Sequence, residues 1–237
     1  MNLLLLHPQD LTDSNTAVID DYRAQHLLNI HKASVGSSVR VGLLNGLMGI
    51  GEITAINHQQ VQLTFHCDQS SPPATDLTLI LALPRPQMLK RSLQTVASLG
   101  VKHIYLIAST RVEKSFWSSP QLTPEAIRQN LVLGLEQAVD TQMPQVYFKQ
   151  RFKPFVEDEL PSLCTGKKAY LAHPGDYPPC PNHDGQPTLL AIGPEGGFLD
   201  YEVAMMEEAG CQTFQFGPRI LRVETAVPML ISRFYKA

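Results

Sequence analysis

Residues 77–100 read LTLILALPRPQMLKRSLQTVASLG and pass from one hydrophobic periodicity to another. The first seven residues form an apolar run with the length of a buried strand. Apolar residues then recur at helical spacing from Met88 to Leu99, and Gly100 follows where a helix would end. A buried strand followed by an amphipathic helix is the unit of α/β domains, so we predict a parallel sheet covered by helices.

The alternation of strand and helix signals continues toward the C-terminus. Short apolar segments predict further strands at His103–Ala108, Val146–Phe148, Ala169–Ala172, Leu189–Ile192 and Thr213–Phe216. Thr123-Pro124-Glu125 predicts a helix start, because threonine caps free amides, proline fits the first turn and glutamate suits the positive end of the helix dipole. Another helix is expected near residues 200–209. The predicted fold class of residues 73–237 is therefore α/β.

Residues 1–72 follow a different pattern. Five glycines lie between Gly36 and Gly51, and residues 61–65 alternate between apolar and polar side chains as in a half-buried strand. One short helix is expected near residues 21–32. Short strands of this kind close most simply into a small β-barrel. The polar, proline-containing residues 68–76 predict the linker between two domains.

Composition limits the classes of protein that fit this chain of 237 residues. Hydrophobic residues make up 43% and charged residues 17%, which is enough for a sizeable core and too little charge for disorder. No apolar stretch approaches the roughly 20 residues of a membrane-spanning helix. The apolar block Leu3–Leu6 is too short for a signal peptide. We therefore expect a cytoplasmic protein without a membrane partner.

The four cysteines form no C-x-x-C pair, and without an export signal reduced thiols are the expectation. His173, Cys180 and His183, with Cys164 upstream, could be metal ligands. Their spacing matches no common zinc pattern, and the surrounding prolines mark a loop. We expect no metal cofactor.

The charge distribution is uneven although the net charge is only −3. Residues 1–76 contain three basic and seven acidic residues, whereas residues 85–128 contain seven basic and two acidic ones. A basic belt on a mildly acidic protein fits a polyanion bound at one face. A solvated surface with ordinary scatter of charge explains the distribution equally well.

Two glycine-containing loops follow late strand candidates. Residues 192–198 read IGPEGGF and residues 216–226 read FGPRILRVETA. Glycines let a ligand approach the backbone, and open α/β sheets bind ligands at the carboxyl ends of their strands. Neither loop contains a dinucleotide-binding or Walker-type phosphate motif. A tight turn before the helix near residue 200 would also explain Gly196-Gly197.

These two loops, together with Glu202, resemble the C-terminal signature of the RsmE-type enzymes, SPOUT-superfamily methyltransferases that act on uridine N3 in 16S ribosomal RNA. The resemblance continues along the chain at His26–Ile30 with Val35-Gly36, at Leu99–Val101, and at Glu136-Gln137 with Pro144. It departs from the family at Ile30-His31-Lys32, Ser98, Asp140 and Gln142. The arginines lost there are bidentate phosphate ligands, and Asp140 would repel phosphate if it faced RNA.

The resemblance implies a PUA-like β-barrel for RNA recognition at residues 1–72 and a SPOUT methyltransferase domain with a deep trefoil knot at residues 73–237. A knot would not be expected from physics alone, since true knots are nearly absent among folds. It also implies 16S rRNA or the assembled 30S subunit as partner, S-adenosylmethionine as cofactor, and a homodimer. An apolar helix face formed by Val227, Leu230, Ile231 and Phe234 fits a dimer, although core packing within the monomer would explain it too. The cofactor-binding residues implied are Leu171, Ala172, Ile192, Gly193, Pro194, Glu195, Gly196, Gly197, Phe216, Gly217, Ile220, Leu221, Arg222 and Val223.

Methylation of uracil N3 requires an unpaired base and stabilisation of negative charge on the flanking carbonyl oxygens. An arginine suits that task because it stays charged and offers several fixed donors, so we assign it to Arg222, beside the cofactor loop. Glu195 and Glu224 are candidate proton acceptors. An ion pair between Arg222 and Glu224 or Glu195 that merely orders the loop is the alternative.

The predicted RNA-binding residues are cationic side chains of both domains. They are Lys32 and Arg40 in the first domain and Arg85, Lys90, Arg91, Arg111 and Lys114 in the second, these five expected to lie outside the glycine loops. Phe116, Trp117 and the stretch 147–153 could add stacking, or could be core residues beside a solvated edge. Two other functions stay open: a non-catalytic RNA-binding relative, and another nucleotide-binding α/β enzyme.

Overall fold

The computed structural model describes residues 1–235, which divide into two compact units. The strands are β1 (Leu4–Leu6), β2 (Leu11–Asp13), β3 (Thr16–Ile19), β4 (Ser38–Leu43), β5 (Met48–Ile56), β6 (Val61–Gln69), β7 (Thr75–Ala82), β8 (Val101–Ile107), β9 (Gln145–Lys149), β10 (Lys168–Ala172), β11 (Thr188–Ile192) and β12 (Gln212–Phe214). The helices are α1 (Tyr22–Asn29), α2 (Pro86–Ser98), α3 (Pro124–Ala138), α4 (Phe152–Pro154), α5 (Leu160–Cys164), α6 (Asp200–Glu208) and α7 (Val223–Arg233). Short 3-10 turns lie at Pro8–Asp10, Lys114–Ser118 and Pro120–Leu122, and a π-turn at Phe155–Glu159 joins α4 to α5.

The larger unit, residues 74–130 and 144 onward, is built on a six-stranded sheet. Its order is β12-β10-β11-β7-β8-β9, and every neighbouring pair is parallel, which confirms the predicted parallel sheet. Strand β7 is central, and all its side chains from Leu77 to Ala82 are buried. A strand covered on both faces needs an unbroken apolar run, which is the pattern that marks it in the sequence.

The strand order reverses direction between β7 and β11. From β7 the chain adds β8 and then β9 on one side, whereas β10, β11 and β12 all lie on the other side. Loops that leave neighbouring strands in opposite directions open a crevice at the carboxyl ends of those strands. The carboxyl ends of β7 and β11, where the strand order reverses, are therefore the expected position of a ligand.

The predicted helix ends are confirmed. Helix α2 stops before Gly100, whose φ of +76° suits glycine, and Thr75 Oγ1 donates to the freed carbonyl of Leu99 at 2.7 Å. At the start of α3, Thr123 Oγ1 accepts a hydrogen bond from the amide of Ala126 at 3.3 Å.

Helix α7 turns its apolar face inward. Val227, Leu230, Ile231 and Phe234 are all at most 3% exposed in the single chain. The apolar spacing that suggested a dimer face is therefore core packing within the unit, and the idea that these four side chains contact a second copy was wrong. No helix among residues 1–235 is long and apolar enough to cross a membrane.

The smaller unit contains residues 1–73 and also residues 131–143, the end of α3 and the turn after it. Its six strands follow the order β1-β4-β5-β6-β3-β2, in which β1 pairs with β4 in parallel and the other pairs are antiparallel. Strand β6 extends to Gln69 and β7 begins at Thr75, so the linker is shorter than the sequence suggested.

The run of leucines at residues 3–6 explains why residues 131–143 join this unit. Leu4 and Leu6 belong to a core cluster that includes Ile53 and Leu63. Leu3 and Leu5 point to the opposite face, where they pack in a second cluster with Met48, Val132 and Leu135. Strand β1 is thus buried on both faces. A strand that alternates apolar and polar side chains can be buried on one face only.

Arg23 is buried at the centre of this unit, with 2% of its side chain exposed. Its guanidinium donates to Asp10 at 2.7 and 2.9 Å, to Asp21 at 2.9 and 3.0 Å, and to the carbonyl of Leu5 at 2.5 Å. A buried charge with this many partners is structural. Of the three basic residues in the first 76, only Lys32 and Arg40 therefore remain for RNA.

The end of α3 carries two buried carboxyl groups. Asp140 is 4% exposed and accepts a hydrogen bond from the amide of Gln142 at 2.8 Å, so it does not present a charge to RNA. Glu136 is 2% exposed and accepts from the Tyr22 hydroxyl at 3.0 Å. Burial raises the pKa of Glu136 to about 7 and also raises the pKa of Tyr22.

We predict that Glu136→Gln makes the smaller unit less sensitive to pH. The folded protein holds a proton that the unfolded chain releases above about pH 4.5, so the free energy of unfolding falls as the pH rises from 5 toward 7. Glutamine keeps an oxygen for Tyr22 and cannot ionise. Relative to the parent, the variant should gain up to about 3 kcal/mol between pH 5 and pH 8 in urea denaturation.

The control is Glu52→Gln, which removes an exposed carboxylate from the same unit. Its stability should follow the parent at every pH. If Glu136→Gln also follows the parent, the carboxyl group is not the source of the pH dependence.

Candidate active site

A cleft of about 690 Å³ opens at the carboxyl ends of β10, β11 and β12 in the larger unit. Three loops form it, together with the first turns of α7. Its lining residues are Ala172, His173, Pro174, Ile192, Gly193, Pro194, Glu195, Gly197, Phe216, Gly217, Arg219, Ile220, Leu221, Val223, Ala226 and Leu230. The volume counts space open to solvent, and most of the walls are apolar side chains or backbone, as in small-molecule sites.

The cleft brings together most of the residues that the sequence assigned to a cofactor. Three of them lie elsewhere: Leu171 is fully buried within β10, Gly196 faces Arg111, and Arg222 lines a neighbouring cleft. Five lining residues were missed, namely His173, Pro174, Arg219, Ala226 and Leu230. Arg219 and Ala226 lie within the second loop as quoted from the sequence, and Leu230 follows Ala226 at helical spacing, so these three could have been found.

Two glycines of the cleft have backbone conformations that other residues adopt only with strain. Gly197 has φ +72° and Gly217 has φ +92°. The second loop is also held from outside, because the amide of Gln215 donates to the carbonyl of Pro178 at 2.8 Å and the carbonyl of Gln215 accepts from Cys180 at 2.9 Å. The glycines therefore shape the loops as well as leaving the backbone open to a ligand.

The loop after β8 is tied to the first glycine loop. Glu202, fully buried in α6, accepts hydrogen bonds from Thr110 N at 2.7 Å, from Thr110 Oγ1 at 3.1 Å and from Leu199 N at 2.8 Å. Arg111 Nη1 donates to the carbonyl of Gly196. Arg111 lies outside the glycine loops in the sequence, as expected, but its side chain contacts the first of them.

Gly196 is required by the same contact. A Cβ atom built on Gly196 would lie 2.9 Å from Arg111 Cδ, closer than van der Waals contact allows. The absence of a side chain at this position makes room for the arginine, and not for a ligand in the cleft.

His173 lies in the wall of the cleft with its Nδ1 atom buried. Among residues 1–235 that atom has no hydrogen-bond partner. Burial lowers the pKa of His173, and nearby Arg111 lowers it further against the opposing effect of Asp200. His173 thus carries, in the wall of the cleft, a buried nitrogen without a protein partner among the described residues.

The sequence singled out His173 only as a possible metal ligand. Within residues 1–235, no three His, Cys, Asp or Glu side chains come together as a metal site would require.

The three candidate catalytic residues meet beside this cleft. Arg222 is 87% exposed, and its Nη1 lies 4.0 Å from Glu224 Oε1. Glu195 Oε1 accepts a hydrogen bond from the amide of Arg85 at 3.1 Å. All three line a second cleft, and Glu195 borders both. The Arg222–Glu224 contact is long and exposed, so it orders the loop weakly.

The structure separates the predicted RNA-binding cations into groups. Arg85 and Arg91 line the second cleft, whereas Lys90 and Lys114 are exposed outside it. In the smaller unit, Lys32 and Arg40 line one groove together with His31.

The aromatic candidates also separate. In the stretch 147–153, Tyr147 stacks on Tyr105 at 4.5 Å, Lys149 pairs with Glu159 at 2.6 Å, and Phe152 is buried. These contacts favour sheet packing over RNA binding. Phe116 is half-buried and lines the second cleft, whereas Trp117 does not line it.

Comparison with known proteins extends this description. Residues 71–235 match the family model of the RNA methyltransferase domain. The ribosomal RNA small subunit methyltransferase E of Treponema pallidum (strain Nichols) is 27% identical over 233 residues, 95% of this chain and 87% of that protein. The protein of the same name from Mesomycoplasma hyopneumoniae (strain 232) is 25% identical over 186 residues, 76% of this chain and 78% of that protein.

A solved structure shares the fold. The crystal structure of ribosomal RNA small subunit methyltransferase E from Neisseria gonorrhoeae, bound to S-adenosyl methionine, superposes with a TM-score of 0.74 at 20% identity. The alignment covers 98% of this chain and 95% of that one. The resemblance inferred from the two glycine loops is thereby confirmed at the level of the family: the chain belongs to the RNA methyltransferases.

Proposed function

We propose that this protein transfers a methyl group from S-adenosylmethionine to N3 of a uridine in 16S ribosomal RNA, free or within the 30S subunit. The observation that carries the proposal is the cleft built by the two glycine loops at the carboxyl ends of β10, β11 and β12. It lies in a chain of the RNA methyltransferase family, and the similar proteins named above are small subunit rRNA methyltransferases.

The cleft suits S-adenosylmethionine on its own chemistry. Ile192, Leu221 and Leu230 offer apolar walls for an adenine ring, and the glycine loops expose backbone amides and carbonyls. The buried Nδ1 of His173 lacks a protein partner and offers one more polar contact. The cofactor supplies an electrophilic methyl group on its sulfonium.

The protein's own side chains then act on the uracil. N3 must lose its proton, and negative charge then spreads to the O2 and O4 carbonyl oxygens of the ring. Arg222 stabilises that charge, since a guanidinium keeps its positive charge and its exposed side chain is free to reach the base. Glu195 or Glu224 accepts the proton, and Glu195 is placed for this because it borders both clefts.

Further parts of the proposal rest on the family resemblance. Residues 1–72 form a PUA-like barrel that helps to recognise the RNA through Lys32 and Arg40, whose side chains share one groove. Residues 73–237, apart from residues 131–143 of the smaller unit, form a SPOUT domain with a deep trefoil knot, and the enzyme is a cytoplasmic homodimer. The burial of the apolar face of α7 means that a dimer must use other residues.

A non-catalytic RNA-binding relative is a weaker candidate than the sequence suggested. The sequence suggested such a relative because Asp140 and Gln142 stand where the family usually has RNA-facing arginines. Asp140 is buried and bonded within its own turn, so this substitution is a structural feature of the smaller unit.

The proposal predicts methyl transfer that depends on Arg222. Purified protein should methylate 16S rRNA or 30S subunits from cells that lack this gene, at one uridine located by mass mapping. Arg222→Ala should lower kcat by about 100- to 1,000-fold, the usual effect of removing a donor that stabilises transition-state charge. Arg222→Lys should recover little, because lysine lacks the fork of donors.

Calorimetry of S-adenosylmethionine binding separates catalysis from loop order. Arg222→Ala should bind the cofactor as the parent does. A matching loss of cofactor affinity would assign Arg222 to ordering the loop, and the absence of methyl transfer by the parent protein would refute the proposed function.

Cofactor binding should depend on Gly217. Gly217→Val places a β-branched residue at φ +92° and should abolish S-adenosylmethionine binding in calorimetry. Gly166→Val is the matched control, since Gly166 has φ +74°, open space around its Cβ and no place in the cleft. If Gly217→Val and Gly166→Val bind S-adenosylmethionine with equal affinity, the second loop is not part of the cofactor site.

Arg111 should act on cofactor affinity instead of RNA affinity. Arg111→Ala removes the hydrogen bond to Gly196 and should weaken S-adenosylmethionine binding by about tenfold, the equivalent of one hydrogen bond from a charged donor. Lys114→Ala, in the same loop region, should leave cofactor affinity unchanged. If Arg111→Ala leaves cofactor affinity unchanged and weakens RNA binding instead, Arg111 is a phosphate contact.

A further inference from the structure

A second cleft of about 1,710 Å³, counting space open to solvent, lies beside the cofactor cleft in the larger unit. It opens where the strand order reverses, between the loops that leave β7 and β11, which is the place where open α/β sheets bind ligands. Four separate segments line it. Their lining residues are Arg85, Pro86, Gln87, Met88, Arg91, Glu113, Phe116, Glu195, Arg222 and Glu224.

Two of the three arginines of this cleft, Arg85 and Arg91, are unpaired among the residues that the structure describes. Within residues 1–235, neither the Arg85 nor the Arg91 side chain hydrogen-bonds or pairs with a carboxylate, and both are exposed. A guanidinium fork matches the two oxygens of a phosphate. Lys90, adjacent to Arg91 on α2, carries the same charge and does not line the cleft.

One wall of the cleft is apolar. Phe116 is half-buried in the turn after β8, and Met88 lies on the first turn of α2. An aromatic ring beside arginine side chains is a common platform for a nucleic acid base, although the lining of this cleft as a whole balances three arginines with three glutamates.

The opposite wall carries groups of both signs. Glu195 and Glu224 offer acceptors, and Arg222 offers donors. Uracil presents an acceptor, a donor and an acceptor at O2, N3 and O4, whereas the N3 of cytosine is an acceptor next to an amino group. A carboxylate can accept the N3–H of uracil while a neighbouring guanidinium donates to O2 or O4, so this pair of side chains complements the uracil edge.

We propose that the second cleft is the nucleotide subsite of the enzyme. Arg85 and Arg91 hold a phosphate of single-stranded RNA, Phe116 stacks on the uracil, and the Watson–Crick edge of the base faces Glu195 and Arg222. This inference rests on the proposed function for the identity of the base. It differs from a general basic surface, because it assigns binding to Arg91 and not to its equally charged neighbour Lys90.

The test compares Arg91→Ala with Lys90→Ala in the full chain, using a short oligouridylate as the probe. Arg91→Ala should weaken binding of the probe by at least about tenfold, as expected for a lost charged hydrogen bond. Lys90→Ala should change it by less than about twofold and affect mainly the dependence on salt. Phe116→Ala should also weaken binding, with Phe116→Tyr restoring it.

A control for folding accompanies each variant: unchanged S-adenosylmethionine affinity shows that the variant is folded. Equal effects of Arg91→Ala and Lys90→Ala, or no effect of Phe116→Ala in a folded variant, would overturn the subsite. Because these are binding measurements, they decide the inference even if the parent protein transfers no methyl group, a result that would refute the proposed function alone.

Discussion

The carboxylate of Glu202 is the constraint on which the larger unit's binding edge depends. It is fully buried and accepts three hydrogen bonds, two from Thr110 after β8 and one from Leu199 at the start of α6. A buried carboxylate is stable only with such partners, so these two segments hold each other in place. The glycine loop between β11 and α6 is fixed at one end by this group and along its length by Arg111. The two clefts share that loop as their common wall.

The basic residues of the larger unit therefore occupy different positions relative to the two clefts. Charge counting treats all basic residues between positions 85 and 128 as one belt. In the structure Arg111 contacts the first glycine loop, Arg85 and Arg91 line the second cleft, and Lys90 and Lys114 are exposed outside it. Arg23 is removed from the surface altogether by Asp10 and Asp21. Phosphate contact thus depends on position within the fold more than on net charge.

Local signals predicted the elements well and long-range contacts poorly. The strands at residues 77–83 and 189–192, the stop at Gly100 and the cap at Thr123 are written in neighbouring residues, so periodicity and capping chemistry reveal them. The attachment of residues 131–143 to the smaller unit depends on Leu135 meeting Leu3 and Leu5, far away in the sequence. The contact between Arg111 and Gly196 spans 85 positions and has no local signal. The apolar spacing on α7 was read correctly as a buried face, but spacing cannot say whether the same chain or another copy buries it.

The close approach of Arg111 to Gly196 also limits how this protein can vary. A Cβ atom at position 196 would lie 2.9 Å from Arg111 Cδ, so the arginine side chain would have to shift to make room for it. Such a shift moves the guanidinium that donates to the carbonyl of Gly196, so a replacement of Gly196 disturbs the hydrogen bond that holds the loop. The shape of the first glycine loop thus depends on a residue 85 positions away, which the loop's own sequence does not reveal.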